Sequence, residues 1–240
     1  MPTTRPAAPA APAAPAAGHD PAAAREPDAD PAGRLDALLD RAPVLPVIVI
    51  DTIEQAVPLA RALLAGGLPV LEITLRTPVA LEAIRRIAGE VPGALPGAGT
   101  VLVAADFDAV ATAGGHFAVS PGTTPALWAA AAASGLPWLP GVATASELMQ
   151  GLERGQRHFK FFPAVASGGV AALRAFAGPF PQARFCPTGG IDATSATALL
   201  ALPNVACVGG SWMLPKDAIA AGDWARIERL AREAAALGRA

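Results

Sequence analysis

The chain has 240 residues, 52% of them hydrophobic and 16% charged, with a formal net charge of −2. That size and balance fit a soluble, well-cored chain, and the near-neutral charge excludes nucleic acid and anionic membrane as partners, since both need clustered basic residues. Two cysteines, no tyrosine and three histidines (His19, His116 and His158) without metal-ligand spacing exclude a disulfide framework, a Cys-rich zinc site and a tyrosine acid.

Residues 1–33 hold 13 Ala and 8 Pro, with a net charge of −2 of their own, so residues 34–240 are formally neutral. Few large apolar residues mean too little burial to offset ordering entropy, and this tail is expected to be disordered. The first 20 residues lack a charged start followed by an apolar core, so no secretory signal is expected. The apolar stretch Phe117–Ser146 is broken by Pro121-Gly122, Pro137-Trp138 and Pro140-Gly141, which would leave backbone groups unpaired in lipid. Free thiols at Cys186 and Cys207 fit a reducing compartment, and a cytoplasmic protein is expected.

From residue 34 a single domain is expected. A first helix, roughly Gly33–Arg41, is followed by strands at Val44–Ile50, Pro69–Leu75, Leu95–Val101, His116–Ser120, Trp138–Gly141, His158–Phe162, Arg184–Pro187 and Val205–Val208. Helical patterns follow each strand in turn: Glu54–Ala65, Val79–Ala88, Ala104–Ala113, Pro125–Ala133, Ala145–Glu153, Val170–Phe176, Ala193–Ala201 and Asp223–Leu237. Thr144 with Glu147 reads as a capping box opening the fifth of these. Strands alternating with helices imply parallel pairing through helical crossovers. Eight such units, with no G-x-G-x-x-G after Ile50, predict a (β/α)8 TIM barrel rather than an open doubly wound sheet, its N-terminal end plugged by the first helix.

Barrels carry their chemistry at the C-terminal ends of the strands. On the second strand Glu72, Thr74 and Arg76 share one face. Two readings stand: a Glu72–Arg76 ion pair closing the mouth, or Glu72 as general acid/base with Arg76 as a bidentate carboxylate clamp. Glycine-rich ends follow at Gly97-Ala98-Gly99-Thr100 and Ser120-Pro121-Gly122.

Lys160 lies in His158-Phe159-Lys160-Phe161-Phe162-Pro163 and shares a face with His158 and Phe162. Burying an ammonium costs several kcal/mol unless it is paired or neutralised. The side chain therefore either snorkels to water or has a purpose. The chain uses 16 Arg and only two Lys. Arginine serves a salt bridge at least as well, whereas a neutral amine attacks a ketone and forms a Schiff base, which favours the nucleophile reading. The other lysine, Lys216, is expected in a loop after Pro215.

Thr188-Gly189-Gly190 and Gly209-Gly210-Ser211 end the seventh and eighth strands, where barrels bind phosphate through backbone N–H groups. His158 reads as a packing residue, Cys186 and Cys207 as small core hydrophobes, and the four tryptophans as packing or interface residues.

Taken in order, Leu71-Glu72-Ile73-Thr74-Leu75-Arg76-Thr77, Gly97-Ala98-Gly99-Thr100-Val101, Ser120-Pro121-Gly122, Phe159-Lys160-Phe161-Phe162-Pro163-Ala164, Arg184-Phe185-Cys186-Pro187-Thr188-Gly189-Gly190-Ile191 and Gly209-Gly210-Ser211-Trp212 closely resemble the 2-keto-3-deoxy-6-phosphogluconate (KDPG) aldolases, also called 2-keto-4-hydroxyglutarate (KHG) aldolases. The likeness runs from about Asp36 to the C-terminus.

It implies a class I aldolase of the Entner–Doudoroff pathway, a metal- and cofactor-free homotrimeric barrel with a phosphorylated 2-keto-3-deoxy sugar acid as substrate and pyruvate as product. It further implies Lys160 as the Schiff-base lysine, Glu72 as the proton carrier, Arg76 and Thr100 on the pyruvate carboxylate, and Pro121 lining that pocket. Thr188, Gly189, Gly190, Gly210 and Ser211 match the end that receives the phosphate. The alternatives are the galactonate-specific aldolase, an enzyme chiefly of 4-hydroxy-2-oxoglutarate, or a non-catalytic sugar-phosphate-binding barrel.

Overall fold

The computed structural model describes residues 31–238. The tail expected over 1–33 falls outside them, except that residues 31–33 already belong to the first helix, α1 (Pro31–Leu39). There follow β1 (Val44–Ile48), α2 (Ile53–Ala65), β2 (Val70–Thr74), α3 (Ala80–Glu90), β3 (Leu95–Gly99), α4 (Ala105–Thr112), β4 (Ala118–Val119) and α5 (Pro125–Ser134). The second half comprises β5 (Trp138–Leu139), β6 (Gly141–Val142), α6 (Ala145–Glu153), β7 (His158–Phe161), α7 (Gly169–Ala177), β8 (Arg184–Pro187), α8 (Ala193–Leu200), β9 (Val208–Gly210), α9 (Lys216–Ala221) and α10 (Trp224–Ala235).

Every strand pair is parallel, in the orders β5-β4-β3-β2-β1-β9 and β6-β7-β8. The predicted fifth strand is divided at Pro140, which has no N–H to donate. Its first half pairs with β4 and its second with β7, so one extended run joins the two sheets. At the other edge Phe185 bridges Val205 and Thr188 bridges Gly209. The result is a curled parallel sheet wrapped in helices. Val205 meets the sheet only through that isolated bridge while its N–H turns back to the Leu202 carbonyl at 3.0 Å, so the last strand begins at Val208 rather than at the expected Val205.

Strand alternation divides the apolar residues into two layers. Ile48, Ile73, Phe159, Phe161 and Phe185 turn outward and meet the helices, where Phe161 and Phe176 lie edge to face at 6.0 Å. Leu45, Val70, Phe117, Leu139, Cys186 and Cys207 turn inward and pack with Leu35 and Leu39 of α1, the plugging helix the sequence predicts. The capping box at Thr144 forms as expected, with the Glu147 carboxylate accepting the Thr144 N–H at 2.9 Å. Lys216 does not lie in a loop. It opens α9, a six-residue helix between Pro215 and the left-handed Gly222, so short that its flanking Pro and Gly read as a turn in the sequence.

His158 opens β7, and its Nδ1 donates to Asp36 Oδ1 of α1 at 2.7 Å, a packing role as expected. Burial pushes the imidazole below its ordinary pKa; Asp36 opposes this, Arg184 adds to it and Asp40 opposes it. The unfolded histidine takes up its proton near about pH 6.5. The folded one resists until lower pH, so this contribution to stability is complete above that value and is lost as pH falls below it. His158→Gln should flatten the loss of stability as pH falls below about 6.5. Urea midpoints across that range check this, and parallel curves for the two proteins would contradict it.

Candidate active site

Two strands carry the centre of the site. On β2 the alternation that sends Leu71 and Ile73 outward turns Glu72 and Thr74 inward, both fully buried. Thr74 spends its hydroxyl on the Ile48 carbonyl at 2.9 Å, tying β2 to β1. On β7 the outward Phe159 and Phe161 anchor the strand in the helix layer, and Lys160 points inward between Gly141 and Cys186 of the neighbouring strands.

Lys160 Nζ donates to Glu72 Oε1 at 3.0 Å, across 88 positions of sequence. The two side chains keep only 7% and 1% of their surface exposed, so the lysine does not snorkel to water. Its ammonium also lies 5.4 Å from the centroid of the Phe162 ring. Glu72 Oε2 is buried with no partner among the described residues. Buried charges are paired or cost several kcal/mol, and here one acceptor of the pair is left open.

Arg76 is brought elsewhere. β2 ends at Thr74, and a tight turn follows in which Arg76 N–H donates to the Thr74 carbonyl at 2.8 Å. The guanidinium is exposed and its Nε donates to Thr100 Oγ1 at 3.3 Å. The Glu72–Arg76 ion pair is therefore not formed. Thr100 has φ 61°, a left-handed conformation that is an outlier for a β-branched residue and the kind of local strain that clusters at functional sites. Arg76 and Thr100 thus form a polar pair beyond the ends of β2 and β3, with both Nη groups of the arginine free of partners among the described residues.

Pro121 follows β4. Ser120 Oγ accepts from Trp138 Nε1 at 3.1 Å and donates to the Gly122 carbonyl at 2.7 Å, which braces the turn around Pro121. The turn leans on Gly141, where a Cβ would stand 2.3 Å from the Pro121 carbonyl. Since Gly141 pairs in register with Lys160, Pro121 is delivered to the lysine's side of the sheet. The sequence reading missed Ser120, Trp138 and Gly141. The available signal was a strand tryptophan whose indole N–H needs a partner once buried.

At the far end Thr188 is buried, with its N–H on the Phe161 carbonyl at 2.9 Å. Gly189 and Gly190 follow with φ 103° and 76°, a reversal that side-chain-bearing residues rarely adopt. Gly210 is buried against Trp212, while Ser211 is exposed and lines a cavity of about 380 Å³ with Val47, Val49, Asp51, Gln55 and Lys216. Thr188 and Gly209 are bridged, so the two loops meet. Among the described residues no three His, Cys, Asp or Glu side chains group to hold a metal ion, and no helix is long and apolar enough to cross a membrane.

The family model described as KDPG and KHG aldolase matches residues 35–230. The chain belongs to the KDPG and KHG aldolase family. The KHG/KDPG aldolase of Escherichia coli strain K12 is 55% identical over 199 residues, covering 83% of this chain and 93% of that protein. A KDPG aldolase from Legionella pneumophila, crystallised with pyruvate captured at low pH as a covalent carbinolamine intermediate, superposes with TM-score 0.82 at 50% identity, covering 84% of this chain and 98% of that one. The KDPG aldolase of Zymomonas mobilis ZM4, solved with 3-phosphoglycerate, gives TM-score 0.81 at 53% identity, with coverage of 86% and 97%.

Proposed function

We propose that this protein is a class I aldolase that cleaves 2-keto-3-deoxy-6-phosphogluconate to pyruvate and glyceraldehyde 3-phosphate, and 4-hydroxy-2-oxoglutarate to pyruvate and glyoxylate. The observation that carries this reading is the contact between Lys160 Nζ and Glu72 Oε1, 3.0 Å apart and buried. A primary amine beside a carboxylate, shielded from water, is what imine chemistry requires. The covalent pyruvate adduct of the Legionella relative and the phosphorylated acid bound to the Zymomonas relative support the substrate class.

Lys160 first passes a proton to Glu72, and the neutral amine adds to the C2 ketone. The carbinolamine loses water and becomes an iminium. Glu72, having given its proton to the departing hydroxyl and become a carboxylate again, takes the C4 hydroxyl proton on the open Oε2, and the C3–C4 bond breaks toward the iminium, which becomes an enamine. The aldehyde leaves, the enamine is protonated at C3 by Glu72, and water hydrolyses the iminium to free pyruvate and the amine. Arg76 and Thr100 hold the pyruvate carboxylate, the guanidinium offering its two Nη groups. Pro121 lines that pocket. The phosphate is received by Thr188, Gly189, Gly190, Gly210 and Ser211 through backbone N–H groups and the two hydroxyls.

In the same reading the two joined sheets are one closed (β/α)8 barrel. The aldolase domain spans residues 34–240, and the active unit is a cytoplasmic homotrimer. The chain acts on small molecules, not on nucleic acid or membrane, and needs no cofactor. Borohydride reduction in the presence of pyruvate tests the chemistry. A mass gain of one reduced pyruvate imine on the peptide bearing Lys160 is expected; folded protein without that adduct overturns the Schiff base and leaves the non-catalytic barrel. Relative kcat/KM for the two phosphorylated epimers and for 4-hydroxy-2-oxoglutarate then ranks the substrates.

A further inference from the structure

Glu72 is completely buried, yet hydrogen bonding holds it at one point only, because Oε1 meets Lys160 and Oε2 meets nothing among the described residues. A carboxylate on a flexible three-torsion side chain needs more than one hydrogen bond to keep a fixed place. Packing supplies the rest. A Cβ placed on Gly99 would stand 2.3 Å from Glu72 Oε1, 2.7 Å from its Cγ and 2.9 Å from its Cδ, and these are the three nearest atoms it would meet. Every one belongs to Glu72. Gly99 itself needs no glycine for its backbone: it ends β3, pairs in register with Thr74, and has no positive φ.

We propose that Gly99 is a positioning residue, whose missing side chain forms the berth in which the Glu72 carboxylate reaches Lys160. The inference rests on the aldolase reading. Alanine at 99 fits the strand, and the atoms it displaces all belong to one side chain from its Cγ outward, so the fold should survive while the carboxylate swings away from the amine.

The test is Gly99→Ala in the full chain, with Glu72→Ala and the double variant completing a cycle. Cleavage and hydrogen–deuterium exchange at C3 of pyruvate, both of which need Glu72 to move protons, should fall by about 10²-fold or more. Borohydride with saturating pyruvate should still label Lys160 to completion, though more slowly, because the amine can then lose its proton only to water. Any drop in Tm caused by Gly99→Ala should vanish when Glu72 is already alanine, a readout that holds even where the single variant is poorly folded.

Cleavage and exchange within twofold of the parent overturn the proposal, as does a Tm drop that persists without Glu72. A parent protein that neither traps pyruvate nor cleaves overturns the functional reading and this inference with it. An active parent beside an equally active Gly99→Ala overturns the inference alone.

Discussion

Lys160→Arg should abolish cleavage and borohydride trapping while the protein remains folded. The charge is kept, and a guanidinium pairs with Glu72 at least as well as an ammonium does, so a role in charge pairing alone predicts retained function. The nucleophile role predicts none, because arginine stays protonated and has no free amine to add to a ketone. The expected fall in kcat is at least about 10⁴-fold, the order met when the group that forms a covalent intermediate is removed. Single-turnover cleavage and mass spectrometry after reduction read both effects, with circular dichroism confirming the fold. The fork is bulkier than the ammonium in a cavity that leaves Lys160 only 5% exposed, so Tm should drop by a few degrees without loss of cooperativity. Turnover above the background of heat-inactivated protein would remove Lys160 from the mechanism.

This contrast was readable in the composition. In a chain with 16 arginines, a lysine between Phe159 and Phe161 stands where an arginine does not serve, and period-two alternation already put it on the face opposite those rings. The same alternation turned Glu72 and Thr74 inward together.

What the sequence did not contain was the partner. Lys160 and Glu72 lie 88 positions apart, and only the curl of the sheet brings β7 to face β2. The nearer candidate for Glu72, Arg76, was lost because β2 stops at Thr74 and the chain turns before the arginine is reached. Strict alternation cannot register a turn between Thr74 and Arg76. Nor does it register a β-branched residue such as Thr100 in the left-handed region, since neighbouring loops impose that conformation. The brace from Trp138 through Ser120 to Gly122 was hidden for a related reason: local patterns do not specify which strands exchange side-chain hydrogen bonds. Gly99 was visible only as part of a glycine-rich strand end, and its contact with Glu72 needed the register of β2 against β3.

The buried pair also separates what serves chemistry from what serves stability. Taking both charges out of water costs several kcal/mol per ion, and with Glu72 Oε2 unpaired the mutual attraction does not offset all of it. Lys160→Met should therefore lower stability by about 3–5 kcal/mol, because a fully buried carboxylate is left without its partner. Adding Glu72→Met should restore that loss and leave the inactive double variant equal to the parent or more stable by about 1–4 kcal/mol, since two unbranched apolar side chains of similar length fill the same space. Urea midpoints at constant m-value measure all three proteins. A double variant less stable than Lys160→Met alone would mean that the ion pair holds the sheet together. The opposite ranking, with activity gone and stability intact, means that a charged pair is kept buried because the amine and the carboxylate must exchange a proton there.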